Sequence, residues 1–341
     1  MCEVIDGGVE FSMFKNRFYF EFSGYKRQTK DVLLDSRIPG SSGAVNGNGQ
    51  YRYFQNIGTV INKGVEMLVN IVLVDKQKRD SRFAWQVKGN FMHNENKVVN
   101  MGFIDPDAIV GGGETRILEN QPIGVFYLVK YSHVDQATGK PVFLDKNGKE
   151  TFEYSLNNRV IAGTVQPKFI GFVENRFDLN RWGFAFSFYG VAGGKIYDEG
   201  AKYQFTMLSG GNVQEGLTDR WQKPGDNAAF AKLSLNPLNY GGLDNVSNYH
   251  TTQWLYDASY VRLRELSIKY KIKEDKGGKS AIKTATLLLS GYNLWLFTKY
   301  PGDPEVIRDY SVATQRNIGT AVNNLSPPQE RSFMLTLKLE L

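Results

Sequence analysis

The chain has little with which to build a covalent or metal-held core. It has 341 residues and one cysteine, Cys2, so no internal disulfide can form. Its three histidines, His93, His133 and His250, are far apart and give no Cys/His metal spacing. No apolar run approaches the ~18 residues of a membrane-crossing helix. The first residues, Met-Cys-Glu-Val-Ile-Asp-Gly-Gly, have neither the basic start nor the apolar stretch of a secretory leader. Either the chain is cytoplasmic or an N-terminal part of it is missing. Blocks of one charge are also absent. The formal net charge is +6, but Lys and Arg alternate with Asp and Glu. That reads as a solvated surface, and nucleic acid is not an expected partner.

Catalytic patterns are missing too. No Ser/His/Asp order or nucleophile elbow stands out, and the carboxylates are scattered, so the chain does not read as an enzyme. Gly111-Gly-Gly-Glu114 and Gly210-Gly-Asn-Val-Gln-Glu-Gly216 do not lie between a strand and a helix start. They are loops and not phosphate cradles. Asp145-Lys-Asn-Gly-Lys-Glu150 has the flavour of a calcium loop. That loop needs oxygen ligands at positions 1, 3 and 5 and Gly at 6, and here Lys149 and Glu150 occupy 5 and 6. A plain hairpin around Asn147-Gly148 fits better. No cofactor or metal is expected.

What is present is aromatic residues (13%), 35 glycines and repeated period-two alternation, the composition of an all-β protein with many turns. Phe83, Trp85, Val87, Gly89 and Phe91 alternate with polar or small residues. So do Trp182, Phe184, Phe186 and Phe188; Phe18, Phe20 and Phe22; and Val65, Met67, Val69, Ile71 and Leu73. These are strands with one apolar and one polar face. Between Tyr260 and Ile272 the apolar phase changes from odd to even, which predicts a β-bulge near Arg264 or Glu265. The stretch from Thr284 to Phe297 is one long strand whose faces do not separate.

Connections alternate between short (15–16, 75–79, 179–180, 274–279) and long (29–49, 96–122, 192–252, 302–330). An antiparallel meander puts alternate connections at opposite ends. Tight turns at one end and long loops at the other are the asymmetry of an outer-membrane barrel. Several strands sustain alternation for ~9–11 residues, the length that crosses a bilayer at a tilt. A soluble sandwich, whose strands usually run ~5–6 residues, is the competing architecture. Within 124–166, residues 125–131 read as a strand and 142–152 as a hairpin, at an end of the barrel that the pattern does not assign.

Four stretches resemble motifs of the SusC/RagA family of TonB-linked outer membrane receptors. They are Asn56-Ile-Gly-Thr-Val-Ile-Asn-Lys-Gly-Val-Glu66, Gln121-Pro-Ile-Gly-Val-Phe-Tyr127, Asp257-Ala-Ser-Tyr-Val-Arg-Leu-Arg264, and Ser290-Gly-Tyr-Asn-Leu with Phe297-Thr-Lys-Tyr-Pro-Gly-Asp-Pro-Glu305. Each is weak alone; in family order from Asn56 to the end they are together specific. The resemblance implies an antiparallel transmembrane β-barrel, of which residues 1–341 would be the C-terminal half of some 22 strands. About ten to twelve strands are expected here, with no plug domain. It further implies an outer-membrane location and TonB-dependent uptake of an oligosaccharide or peptide. The implied partners are a SusD-like surface lipoprotein, the TonB complex through the missing N-terminal part, and the barrel-assembly machinery. The alternative is a stand-alone β-barrel or β-sandwich for ligand binding or adhesion.

Two groups of residues are functional candidates. Tyr51, Tyr53, Trp221, Asp226, Tyr240 and Trp254 place aromatics and a carboxylate in the long loops, a chemistry suited to sugar or peptide and equally to packing against a lid. The last strand, Phe333, Leu335, Leu337, Leu339 and Leu341, reads as barrel-closing, with Lys338 and Glu340 turned to a wet lumen. Its edge expects a first barrel strand that this chain does not contain. Family members normally end on an aromatic residue, and this chain ends on Leu341.

Overall fold

The structure, a computed structural model, describes residues 1–37, 45–46, 49–50, 52–56, 58–75, 82–101, 114–206, 212–242, 249–274, 281–306 and 321–340. Nine long strands form one antiparallel sheet in which each pairs with its neighbour along the chain. They are β1 (Cys2–Met13), β2 (Phe18–Lys30), β3 (Thr59–Val74), β4 (Phe83–Asn100), β5 (Phe169–Leu179), β6 (Trp182–Ala192), β7 (Tyr260–Glu274), β8 (Thr284–Thr298) and β9 (Ser332–Glu340). Such a meander needs no crossover, and every strand can bond to the one just made.

The register carries the period-two pattern of the sequence across the whole sheet. One row runs Phe333, Gly291, Leu266, Phe186, Asn175, Val87, Ile71, Phe18, Met13, from β9 to β1. A neighbouring row runs Tyr292, Glu265, Ser187, Glu174, Lys88, Asn70, Tyr19, Ser12, from β8 to β1. Successive residues of a strand point to opposite faces, so the first row defines an apolar face and the second a polar one. The polar member of the first row is Asn175, whose Oδ1 accepts the Trp85 indole N–H at 3.2 Å.

Register shifts in several strands adjust the phase of the faces. Arg264 is the extra residue between Leu263 and Glu265, where the phase change in the sequence puts it. Opposite it, Asn293 has φ +54°, so β8 is irregular where it faces the bulge. The irregularity leaves the phase of β8 unchanged, since Gly291 and Trp295 both lie on the apolar face; the faces do not separate in its sequence because Leu288 and Leu296 stand on the polar one. Near the end of β3 the register slips between Val72 and Val74, so Leu73 is an extra residue and Val74 takes the place opposite Trp85.

Long connections pack into a crown at one end. Residues 124–166 belong to it, between β4 and β5. There Val125–Val134 pairs with Arg159–Thr164, Pro141–Leu144 and Thr115–Arg116. The expected hairpin is present, with Pro141–Leu144 paired to Glu150–Thr151. Its loop is five residues and not two, because Asp145 Oδ1 accepts the amides of Asn147 (2.8 Å) and Lys149 (2.9 Å) and holds the wider turn. Lys195–Asp198, Leu255–Asp257 and Val322–Asn323 make a second small sheet, continued by the short helix α1 (Glu199–Gln204). The Asp198 side chain caps α1 by accepting the Ala201 amide at 2.8 Å.

The buried core lies in the crown. Phe126, Leu128, Tyr197, Ala201, Trp254 and Val322 form one cluster, and Val129, Phe143, Tyr240 and Tyr249 another. The apolar face of the sheet remains uncovered. Phe333 is 74% exposed and Leu335 67%, and Phe184, Ile268 and Leu289 are exposed as well. In a sandwich this face would pack against a second sheet.

Candidate functional site

The short-turn end contributes two tight strand connections with left-handed residues, Phe14 to Asn16 and Asn180. The chemistry lies at the other end, in the crown and on the polar face beneath it. On that face small residues let long side chains span strands. Gly183 lies between Asp178 and Lys269, and the lysine arches over it to reach Asp178 Oδ1 at 2.9 Å. A Cβ at Gly183 would stand 2.6 Å from the Lys269 stem. Gly64 plays the same part for Tyr25, whose hydroxyl crosses it to donate to Asn94 Oδ1 at 3.0 Å. Nearer the crown, Glu174, Arg176, Arg264, Glu265, Tyr292 and Asn293 line a groove of about 480 Å³. Both signs of charge and a phenol line it, so it offers donors and acceptors together.

The recognised motifs meet in space. Asn62, in the first, accepts from the Asn96 amide at 2.8 Å, and Asn96 Oδ1 accepts the Ile123 backbone N–H of the second at 2.8 Å. Arg262, in the third, is 2% exposed and reaches Asp303 Oδ1 of the fourth at 2.5 Å and Glu305 Oε2 at 2.7 Å. Arg264 pairs with the other oxygen of Glu305 and lies over the Tyr189 ring, 5.0 Å from its centroid. Asp303 also accepts the Gln329 and Glu305 amides, at 3.0 and 3.1 Å. Burial pushes the Asp303 carboxyl up, but these amides and Arg262 outweigh it and hold it below the usual range. The Tyr300 hydroxyl donates to Asp198 Oδ2 at 2.8 Å, which ties the fourth motif to the cap of α1.

A buried charge cluster sits deeper in the crown. Glu114 Oε1 lies 3.7 Å from Lys202 Nζ and 3.4 Å from His250 Nδ1, and the Glu114 and Lys202 side chains are 3% and 0% exposed. Burial alone would raise the Glu114 carboxyl. The adjacent His250 ring and the Lys202 ammonium more than offset that and bring it down to about 2. The Lys202 ammonium also faces the rings of Tyr197 and Tyr203. Residues 114, 202 and 250 are separated by most of the crown, so no local pattern marks the cluster.

The sequence candidates fall into different environments. Tyr51 lies outside the described residues, as does Leu341. Tyr53 is in the strand Arg52–Asn56, paired with Leu33–Arg37. Trp221 is half-buried over Gly139, where a Cβ would come within 2.4 Å of its ring, and its indole N–H donates to Gln136 O at 2.8 Å. Asp226 Oδ2 accepts the amides of Gln222 (3.0 Å) and Lys223 (2.9 Å), which keep its carboxyl below the usual range. Tyr240 and Trp254 are core residues, 4% and 2% exposed. The Tyr240 hydroxyl donates to Lys232 O at 2.8 Å, and Trp254 stacks with Phe205 and Phe230. Phe333, Leu335, Leu337 and Leu339 are exposed on the apolar face of β9, whose outer edge has no partner among the described residues.

An antiparallel wall with an exposed apolar face, a polar inner face and a crown at one end defines a transmembrane-type β-barrel. No family model matches the chain. It is 29% identical over 368 residues to TonB-dependent receptor P3 of Formosa agariphila, with 98% of this chain and 34% of that protein covered. TonB-dependent receptor P26 of the same organism is 27% identical, with the same shares covered. TonB-dependent receptor SusC of Bacteroides thetaiotaomicron is 24% identical, covering 88% of this chain and 29% of its own. Among solved structures, the RagAB peptide transporter superposes with a TM-score of 0.79 at 21% identity, covering 99% of this chain and 35% of the other. Over nearly its whole length the chain is therefore similar to a barrel portion of TonB-dependent receptors, in line with the resemblance of its motifs, and it spans about a third of the length of the curated relatives it matches.

Proposed function

We propose that the intact protein is an outer-membrane transporter that imports an oligosaccharide or peptide by TonB-dependent uptake, and that this chain supplies part of its wall and extracellular crown. The observation that carries the reading is the uncovered apolar face, in register across all nine strands. In water each fully exposed Phe, Leu or Ile on it forfeits about 1.5–3 kcal/mol, whereas acyl chains solvate the whole face. Aromatics are spread over that face, from Trp85, Phe177 and Trp182 near the turns through Phe18, Phe186 and Phe188 to Phe91 and Phe169 near the crown.

The chain's role is containment and shape. The inner groove by Arg264 and Glu265 offers a polar cargo both charge signs, and Trp221 and Tyr53 remain the loop aromatics proposed to meet cargo or lid. A SusD-like surface lipoprotein would close the crown, TonB would act through a plug, and the assembly machinery would insert the barrel. The structural relative is described as a peptide transporter, which favours testing peptides first. The experiment is deletion of the whole gene, with growth followed on single peptide and glycan sources. Selective loss of growth on one source, restored by the gene in trans, is the expected result. Unchanged growth on every source sinks the uptake reading.

A further inference from the structure

A basic pocket lies on the outward, apolar side of the wall, where the wall meets the crown. It has a volume of about 690 Å³, and its lining includes Lys26, Lys63, His93, Glu95, Lys97 and Lys168. Strand register fixes its height. The last apolar row is Val65, His93 and Phe169. The next row up holds Lys26, Lys63 and Glu95, and the one above it Ile61 and Lys97. Lys63 is matched by Glu95 at 2.7 Å. Lys26, Lys97 and Lys168 are exposed and have no ion-pair partner among the described residues.

Directly below the same row is a second hollow, about 420 Å³, with an almost wholly apolar lining. Its floor is glycine. Gly171 pairs with Gly190 on one side and Phe91 on the other, and Gly89 pairs with Val173. Missing side chains there leave a notch in the lipid-facing wall between Met67, Val69, Val173 and Phe188. Phe169 lies between the two hollows, with its ring centroid 5.0 Å from that of His93 and 5.6 Å from that of Phe91. The His93 ring is fixed by a 2.6 Å contact between Nδ1 and Lys168 O.

We infer that the two hollows form one binding site for a phosphate-bearing lipid of the surrounding leaflet, with its anionic headgroup against Lys26, Lys97 and Lys168 and an acyl chain in the glycine notch. Charge complementarity and position select this occupant. Unmatched ammoniums at the headgroup level attract anionic lipid, and three of them are worth on the order of 100-fold in affinity. An apolar slot immediately beneath is where a tail of the same molecule must go. The inference rests on the wall lying in a bilayer.

The test uses the full-length receptor extracted from its membrane and placed in nanodiscs. One set contains zwitterionic phospholipid only, a second adds an anionic phospholipid, and a third is zwitterionic with inorganic phosphate in the buffer. Thermal unfolding and native mass spectrometry of retained lipid are read. The expected result is stabilisation and retained lipid with the anionic phospholipid alone, lost in the triple variant Lys26→Gln, Lys97→Gln, Lys168→Gln and kept in the triple Arg variant. Gly171→Leu, which fills the notch, should lower retention with the lysines intact. If the Gln variant does not insert, the wild-type preference must still fall steeply with salt. Equal retention in the Gln and wild-type proteins, salt-independent retention, or full protection by phosphate alone overturns the lipid site. Failure of the wild type to insert even into zwitterionic discs overturns the membrane reading itself.

Discussion

Glu114 carries its charge inside the crown. Its carboxyl is near 2 in the fold against 4.5 for an unperturbed glutamate. A depressed folded value means the ionised form stabilises the fold. The contribution is complete above about pH 4.5 and is lost as pH falls toward 2, a total of about 3 kcal/mol. Hydrogen exchange of the crown amides around Val125–Val134 should therefore be level from pH 7 to about 4.5, after correction for intrinsic rates, and lose protection below it. Glu114→Gln should flatten that acid limb and weaken the crown at pH 7 by about 3–5 kcal/mol, because the buried Lys202 ammonium loses the carboxylate beside it. Wall amides should not follow. At this scale the sequence was nearly silent. Glu114 stood out only as the end of a glycine run, and Tyr240 and Trp254 read as loop aromatics because nothing local shows which loop side chains turn into a core. The arginines and acids of the third and fourth motifs were visible, but their pairing needed the fold.

Strands were the most legible elements. Alternation marks a strand that has different solvents on its two faces, and here both faces are long and uninterrupted. The bulge at Arg264 was readable because the phase change falls within a run of clear apolar residues. The extra residue at Leu73 was not, because Ile71, Val72, Leu73 and Val74 are all apolar and carry no phase. Face assignment predicts opposite outcomes for the two sides of the wall. Ile268→Lys puts an ammonium on the apolar face and should destabilise the barrel by about 2–4 kcal/mol if that position is near the bilayer midplane. Asn90→Lys, at an exposed position on the polar face, should cost well under 1 kcal/mol. Urea titration in lipid, followed by loss of the heat-modifiable band on gels, separates the two. Equal costs would mean that the faces are misassigned.

For the molecule as a whole, the alternation of short and long connections gave the polarity of the wall. All four short connections lie at one end of the nine strands and all four long ones at the other. That geometry predicts sidedness in cells. An epitope tag inserted after Asn227, in the crown, should be labelled on intact cells. Tags after Asn16 or Asn180, in the tight turns, should be labelled only after the outer membrane is opened. Surface labelling of the turn tags would reverse the orientation. The sequence by itself determined the strands, their two faces, the end at which each connection lies and the family resemblance, since period-two burial, turn chemistry and motif order are local. Tertiary structure alone decided where residues 124–166 go and which loop aromatics are core. It also decided that Glu114, Lys202 and His250 share one site and that Lys26, Lys97 and Lys168 flank a glycine notch. Those facts depend on contacts between residues tens to more than a hundred positions apart, which only the register of paired strands and the packing of the crown bring together.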